Sequence, residues 1–239
     1  SYEAFIIRNS GNDWCRSMFR DAITACMAEE MRLDHQAYEP VAQYINGEYW
    51  GLINMREKIH EHFIAAHHHV DPEEVNLIQG KMNVQTGSLD RYNELLAYLR
   101  SNDLSDDSVF DGLSSHMDVD EYKRYWALNV YINNKDWPSN NSKFWSTNTA
   151  GAQWRWIVYD TDFAYSPWGD KDYNVNTLLF ALGEGDLHTY ANKPWATEVA
   201  RMLMQNTQYQ KDICNTFADG LNYYFHPDRM LPVIDSFQQ

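Results

Sequence analysis

Three side chains near the middle of the chain have the types and spacing that phosphoryl transfer needs. Asp136 sits in the run Asn-Asn-Lys-Asp-Trp-Pro, Asn141 follows five residues later, and Asp160 comes nineteen residues after that, closing the run Trp-Ile-Val-Tyr. Moving a phosphoryl group onto a hydroxyl requires an acceptor for the hydroxyl proton and oxygen ligands for Mg²⁺ (or Mn²⁺). One carboxylate, one amide and a second carboxylate supply these in order. Asp162 extends the second acid into an Asp-Thr-Asp element. Plainer readings compete: the Asn-, Asp-, Pro- and Ser-rich run makes a good loop by turn chemistry alone. Asp160 and Asp162 could merely cap a turn by accepting backbone N–H groups.

Such residues need a helix before Asp136 and a hairpin between Asn141 and Asp160. Residues 119–132 carry helical spacing, with Tyr122, Tyr125, Trp126, Asn129 and Val130 inward and Asp118 or Asp120 as cap. Residues 143–146 and 154–160 read as the two strands of the hairpin. Upstream, the spacing predicts a strand over 4–8 and a helix over 14–31 capped by Asp13. An Asn46-Gly47 hairpin joins strands 41–45 and 49–55, and a helix over 56–66 follows. A strand over 75–78, a helix over 89–99 and an acidic surface loop over 102–111 come next. Beyond Phe163, a loop over 166–176 gives way to helices at 194–206, 209–224 and from 228 onward. No repeats are present.

At 239 residues the chain can bury a full core, and 44% apolar and 15% aromatic residues mark it as globular. No apolar run is long enough to span a membrane. A formal charge of −15 argues against a nucleic-acid partner, which needs clustered Lys and Arg. The acid surplus could favour a basic protein substrate, although solubility alone accounts for it. Cys15, Cys26 and Cys214 have no metal-like spacing and read as small buried hydrophobes. His67-His68-His69 reads as a solvated helix end rather than a metal site, because successive helical side chains point about 100° apart. Asp13 with Arg16, and Arg20 with Asp21, read as ion pairs at a helix start. The chain opens on a strand-like run without an initiator Met, which reads as a piece of a longer protein.

The run from Tyr44 to Ile59 (Tyr-Ile-Asn-Gly-Glu-Tyr-Trp-Gly-Leu-Ile-Asn-Met-Arg-Glu-Lys-Ile) resembles the hallmark of the CotH family, the spore-coat-type atypical protein kinases. So do Val119-Asp-Glu-Tyr with Asn133-Asn-Lys-Asp136 and Asn141, and Trp154-Arg-Trp-Ile-Val-Tyr-Asp-Thr-Asp-Phe163. Arg8-Asn-Ser-Gly-Asn-Asp and Phe19-Arg-Asp-Ala fit its small-lobe helix. The resemblance implies an α+β, two-lobed, protein-kinase-like domain over 1–239, with a small β-rich lobe over about 1–56 and a mainly helical large lobe over 57–239. It implies ATP-dependent phosphorylation of Ser or Thr in proteins. Asp136 would lie nearest the acceptor hydroxyl, Asp160 and Asn141 would hold the metal, and Asp162 would assist. Trp154 and Glu57 would lie near the nucleotide, and Arg8 is the one early cation. It also implies an exported or cell-envelope setting.

The family's glycine-containing phosphate loop and strand Lys should precede the small-lobe helix, yet no Lys occurs before Lys58. Either those elements lie upstream of Ser1 or this member has lost them, and the second case keeps open another class, a kinase-like binding module without transfer. A third, a carbohydrate-active domain, draws on the aromatic density, with Trp137 and Trp168 as candidate sugar contacts. Asp136, Asp160 and Glu184 would supply its acid pair.

Overall fold

The structure, a computed structural model, describes residues 4–166, 174–183 and 189–238. Trp168 and Glu184 lie outside the described residues. The fold is mixed α+β with two sheets. The first is antiparallel, in the order β1 (Phe5–Arg8), β4 (Glu48–Glu57), β3 (Tyr38–Ile45). Its hairpin turns at Asn46 (φ 51°) and Gly47 (φ 86°), the two positive φ values that a tight two-residue connection demands. The second sheet runs β2 (Asp34–His35), β8 (Arg155–Val158), β7 (Lys143–Thr147), β5 (Val75–Gln79), β6 (Asn83–Thr86). Only the β2–β8 pair within it is parallel.

Helices cover both faces of this second sheet. In β7 and β8, Phe144, Trp156 and Val158 enter the main core, while Trp145 and Ile157 enter a smaller cluster with Phe63 and Ile64. The two-residue period of a strand sends neighbours to opposite faces, so a doubly covered strand is buried along its length. The smaller cluster lies under α2 (Glu61–His68). The main core gathers α1 (Arg20–Glu30), α3 (Asp90–Ser101), α5 (Val119–Tyr131), α7 (Pro194–Leu203), α8 (Thr207–Asp219) and α9 (Pro227–Phe237). Short α4 (Asp107–Asp111) and α6 (Thr177–Leu182) complete the described helices.

Several expectations shift. The first helix begins at Arg20 and not near Trp14, because Asp13 spends its carboxylate on Ser17 and on the Arg20 N–H (3.1 Å) while Met18 adopts φ 67°. Asp13 pairs with Arg20 (3.1 Å), and Asp21 with Arg56, so Arg20 and Asp21 are not partners. Residues 56–57 extend β4, pairing with Tyr38 and Phe5, and α2 starts only after His60 accepts the Phe63 N–H. The acidic stretch at 102–111 contains α4, capped by Asp106. Cys15 and Cys214 are exposed, one in the turn before α1 and one on the outer side of α8; all three cysteines are free. Trp137 is 1% exposed, donating to the Tyr125 hydroxyl (2.8 Å) and packing on Trp126, so it offers no surface to a sugar. The most exposed aromatics among the described residues stand at the β3–β4 hairpin: Tyr44, Tyr49 and Trp50, the last 71% exposed.

Candidate active site

The loop after α5 is built from amides. The Asn134 N–H bonds the Asn129 carbonyl, its side chain bonds the Asn129 side chain, and its Oδ1 receives the Asp136 N–H. The Asp136 carboxylate is thereby fixed, accepting from Asn140 Nδ2 and Asn141 Nδ2, each at 2.8 Å. Asn141 (φ 49°) and Asp160 (φ 54°) both adopt the left-handed backbone, a cost for residues with a Cβ that concentrates at functional sites. The Asn141 Nδ2 also reaches the Asp160 carbonyl at 3.0 Å. One amide nitrogen thus links both acids. With that nitrogen turned inward, Asn141 Oδ1 accepts no bond among the described residues, and neither does Asp160 Oδ2.

Strand β1 brings Arg8 across to this point. Its Nη2 bonds Asp160 Oδ1 (2.9 Å) and Asp162 Oδ2 (3.1 Å). Burial opposes the Arg8 charge, but Asp160, Asp21 and Asp162 outweigh it and hold the guanidinium above its ordinary pKa. Asp162 is further held by the Asn12 N–H (3.0 Å) and Nδ2 (3.2 Å). The loop can approach this closely only because residue 11 is glycine: a Cβ there would fall 1.7 Å from Asp162 Oδ2, and φ is 56°. Between the two acids, Thr161 gives its N–H and hydroxyl to Asp21 on α1, which also pairs with Arg56 on β4. The Asp-Thr-Asp element is therefore clamped by β1, α1 and β4 together.

Burial, with Asp162 and Asp21 nearby, pushes the Asp160 carboxyl up despite Arg8. Two further residues share its neighbourhood. Lys143, two positions after Asn141, lies with Nζ 4.7 Å from the Tyr159 ring centroid. Burial lowers its pKa and the Asp160 charge opposes that. The Tyr159 hydroxyl, raised by burial and then by Asp160 and Asp136, has no hydrogen-bond partner among the described residues. Register explains the meeting: Lys143 pairs with Ile157, so Lys143 and Tyr159 share a sheet face. Sequence reasoning missed both, although Tyr159 adjoins Asp160 and Lys143 lies two positions after Asn141.

The structure brings Asp136, Asn141, Asp160, Asp162 and Arg8 together. It does not bring Trp154 or Glu57 to them. Trp154 is 1% exposed, set edge-on to Tyr92 and Phe144, with its indole N–H directed at the Arg91 carbonyl. Glu57 is buried as a bracket: its carboxylate takes the Ala37 N–H and the His67 ring, and its carbonyl takes Gln36 Nε2. The histidine run is also engaged, since His68 bonds Asp34 at 2.7 Å.

The donors fit a hard cation. A carboxylate oxygen and an amide oxygen lie free beside the acid pair, and Mg²⁺ takes one or two such protein ligands with substrate phosphates and water completing its shell. Among the described residues no three His, Cys, Asp or Glu side chains converge as a self-sufficient cage.

A mixed α+β fold holds this acid–amide–acid cluster. The family model described as CotH kinase protein matches residues 2–239, and the chain belongs to the CotH kinase family. Among solved structures, it is similar to the crystal structure of a Helicobacter pylori proinflammatory kinase, CtkA, at 9% identity and a TM-score of 0.38, covering 98% of this chain and 92% of that one. No curated protein matches.

Proposed function

We propose that this domain is a two-lobed protein kinase that transfers the γ-phosphoryl of ATP to Ser or Thr hydroxyls of a protein, in an exported or cell-envelope setting. The observation that carries the reading is the single Asn141 amide bonded to both Asp136 (2.8 Å) and the Asp160 carbonyl (3.0 Å). In this reading Asp136 orients the acceptor hydroxyl and takes its proton as the oxygen attacks the γ-phosphorus. The bond to the bridging oxygen breaks and ADP departs. Asp160 Oδ2 and Asn141 Oδ1 would hold Mg²⁺, which supplies neutralisation of phosphate charge when bound. Lys143 and Arg8 would be the cations nearest the phosphates. Catalysis of this kind is mainly positioning and charge stabilisation.

One observation favours the second reading, a recognition module without transfer: Arg8 already occupies Asp160 and Asp162. The two readings part on one assay. Transfer of label from γ-labelled ATP to Ser and Thr of acceptor proteins is expected of the parent chain. Asp136→Asn is expected to slow it at least about a hundredfold, with the melting temperature held. Equal transfer by that variant would remove Asp136 from the mechanism, and no transfer by the parent would favour the module.

A further inference from the structure

Beside Asp136 lies a cleft of about 550 Å³ whose lining includes Lys81, Asn140, Asn141, Tyr190, Lys193 and Trp195. Its walls are tied to the acid-bearing loop. The Gly80 N–H bonds the Ser142 carbonyl (2.8 Å), fixing the β5–β6 turn that carries Lys81. The Lys193 N–H bonds Ser139 Oγ (2.6 Å), and the Ser139 N–H bonds the Ala191 carbonyl (2.6 Å), fixing the entry to α7. The cleft adjoins Asp136, because Asn140 and Asn141 in its wall donate their side-chain amides to that carboxylate, each at 2.8 Å. A hydroxyl can therefore approach the acid from this side.

The charge of the cleft runs against that of the chain. The whole protein carries 34 Asp and Glu against 19 Lys and Arg. Yet no acidic side chain is among the described residues lining the cleft, and two lysines are. Neither Lys81 nor Lys193 has an ion-pair partner among the described residues, and both are exposed. Lys193 stands at the start of α7, where the helix dipole adds to its charge. Trp195 and Tyr190 add aromatic surface to the lining. Two unpaired cations in an otherwise acidic protein create a local positive potential that selects an acidic partner by charge.

We infer that this cleft is the acceptor groove and that it selects Ser- or Thr-containing peptide segments flanked by Asp or Glu. The inference rests on reading Asp136 as the acid that meets the acceptor hydroxyl. With the hydroxyl at Asp136, carboxylates on either side of it meet Lys81 on the β5–β6 side and Lys193 on the α7 side. The surplus of acid elsewhere on the surface repels the same peptide from competing positions.

The test measures binding, apart from turnover. Fluorescence anisotropy is read for three labelled peptides of equal length, each with one Ser, flanked by Asp and Glu, by Asn and Gln, or by Lys and Arg, against the full chain. The acidic peptide is expected to bind at least about tenfold tighter than the neutral one, equivalent to about 1.4 kcal/mol. The preference should shrink as salt is raised. In Lys81→Glu/Lys193→Glu the order should invert towards the basic peptide; both side chains are exposed and unpaired, so the fold should hold. Equal or opposite preference in the parent, an unchanged preference in the double variant, or no binding of any peptide would overturn the inference. Mg-ATP titrated into the same samples separates the two levels. Acidic-peptide binding without nucleotide binding keeps the groove and defeats the kinase reading. Transfer to acidic and neutral peptides alike keeps the kinase and defeats the groove.

Discussion

Asp34 on β2 and Asp160 just beyond β8 are both partly buried carboxylates on neighbouring strands, and each faces an arginine. Around Asp34, donors outnumber acids. His68 bonds it at 2.7 Å, Trp145 Nε1 at 2.8 Å, and Arg155 lies at 3.5 Å while also pairing with Asp118. Burial alone would raise this carboxyl, but those partners outweigh burial and hold it below the ordinary range. Around Asp160, acids outnumber donors: one Arg8 serves Asp160 and Asp162, with Asp21 close by, and the carboxyl is pushed up. The first cluster is complete and ties α2 to the second sheet. The second is left short of positive charge, which is the condition a cation-binding site needs.

Removing the side chain in each cluster sharpens this contrast. Asp34→Asn strips an acceptor from a cluster built to be full, and the chain should lose about 3 kcal/mol at neutral pH. Because the folded-state pKa of Asp34 is depressed, its contribution is present above the unfolded value, near 3.9, and vanishes as pH falls through the folded value. The gap between parent and variant in thermal melts should therefore narrow as pH falls below about 3.9, and a gap that did not shrink with acidification would break the account of Asp34. A smaller loss, about 1–3 kcal/mol, is expected from Gly11→Ala, whose Cβ would collide with Asp162 and sit at φ 56°. Its melting temperature should fall, and Mg-ATP affinity with it, because the Asp-Thr-Asp element loses its loop. Full stability in that variant would show that the Asn12 loop is not what fixes Asp162.

The sequence exposes local chemistry better than it exposes faces. Asn46-Gly47 sets a hairpin by its own backbone preference, and α5 and the β7–β8 pair follow from periodicity and turn residues, so all were readable. Asp136, Asn141 and Asp160 could be chosen because they belong to one contiguous segment. Trp154 and Trp137 could not be placed, since strands covered on both faces and an aromatic-rich core leave no alternation to tell inside from cleft. The Arg8 contact with Asp160 spans 152 positions and depends on how β1 pairs with β4, which no local pattern encodes. Helix starts slipped for a related reason. Asp13 was a sound cap, but it caps a turn, and the helix waits for Arg20.

The central claim is that the cluster short of positive charge receives a nucleotide-bound cation. Calorimetric titration of Mg-ATP into the parent chain and into Asp160→Ala, with thermal melts of both, tests it most directly. The account predicts metal-dependent binding by the parent, at least about a hundredfold weaker in the variant, with a melting temperature held or raised as acidic crowding is relieved. Equal binding by the two proteins, or no metal-dependent binding by the parent, would contradict it.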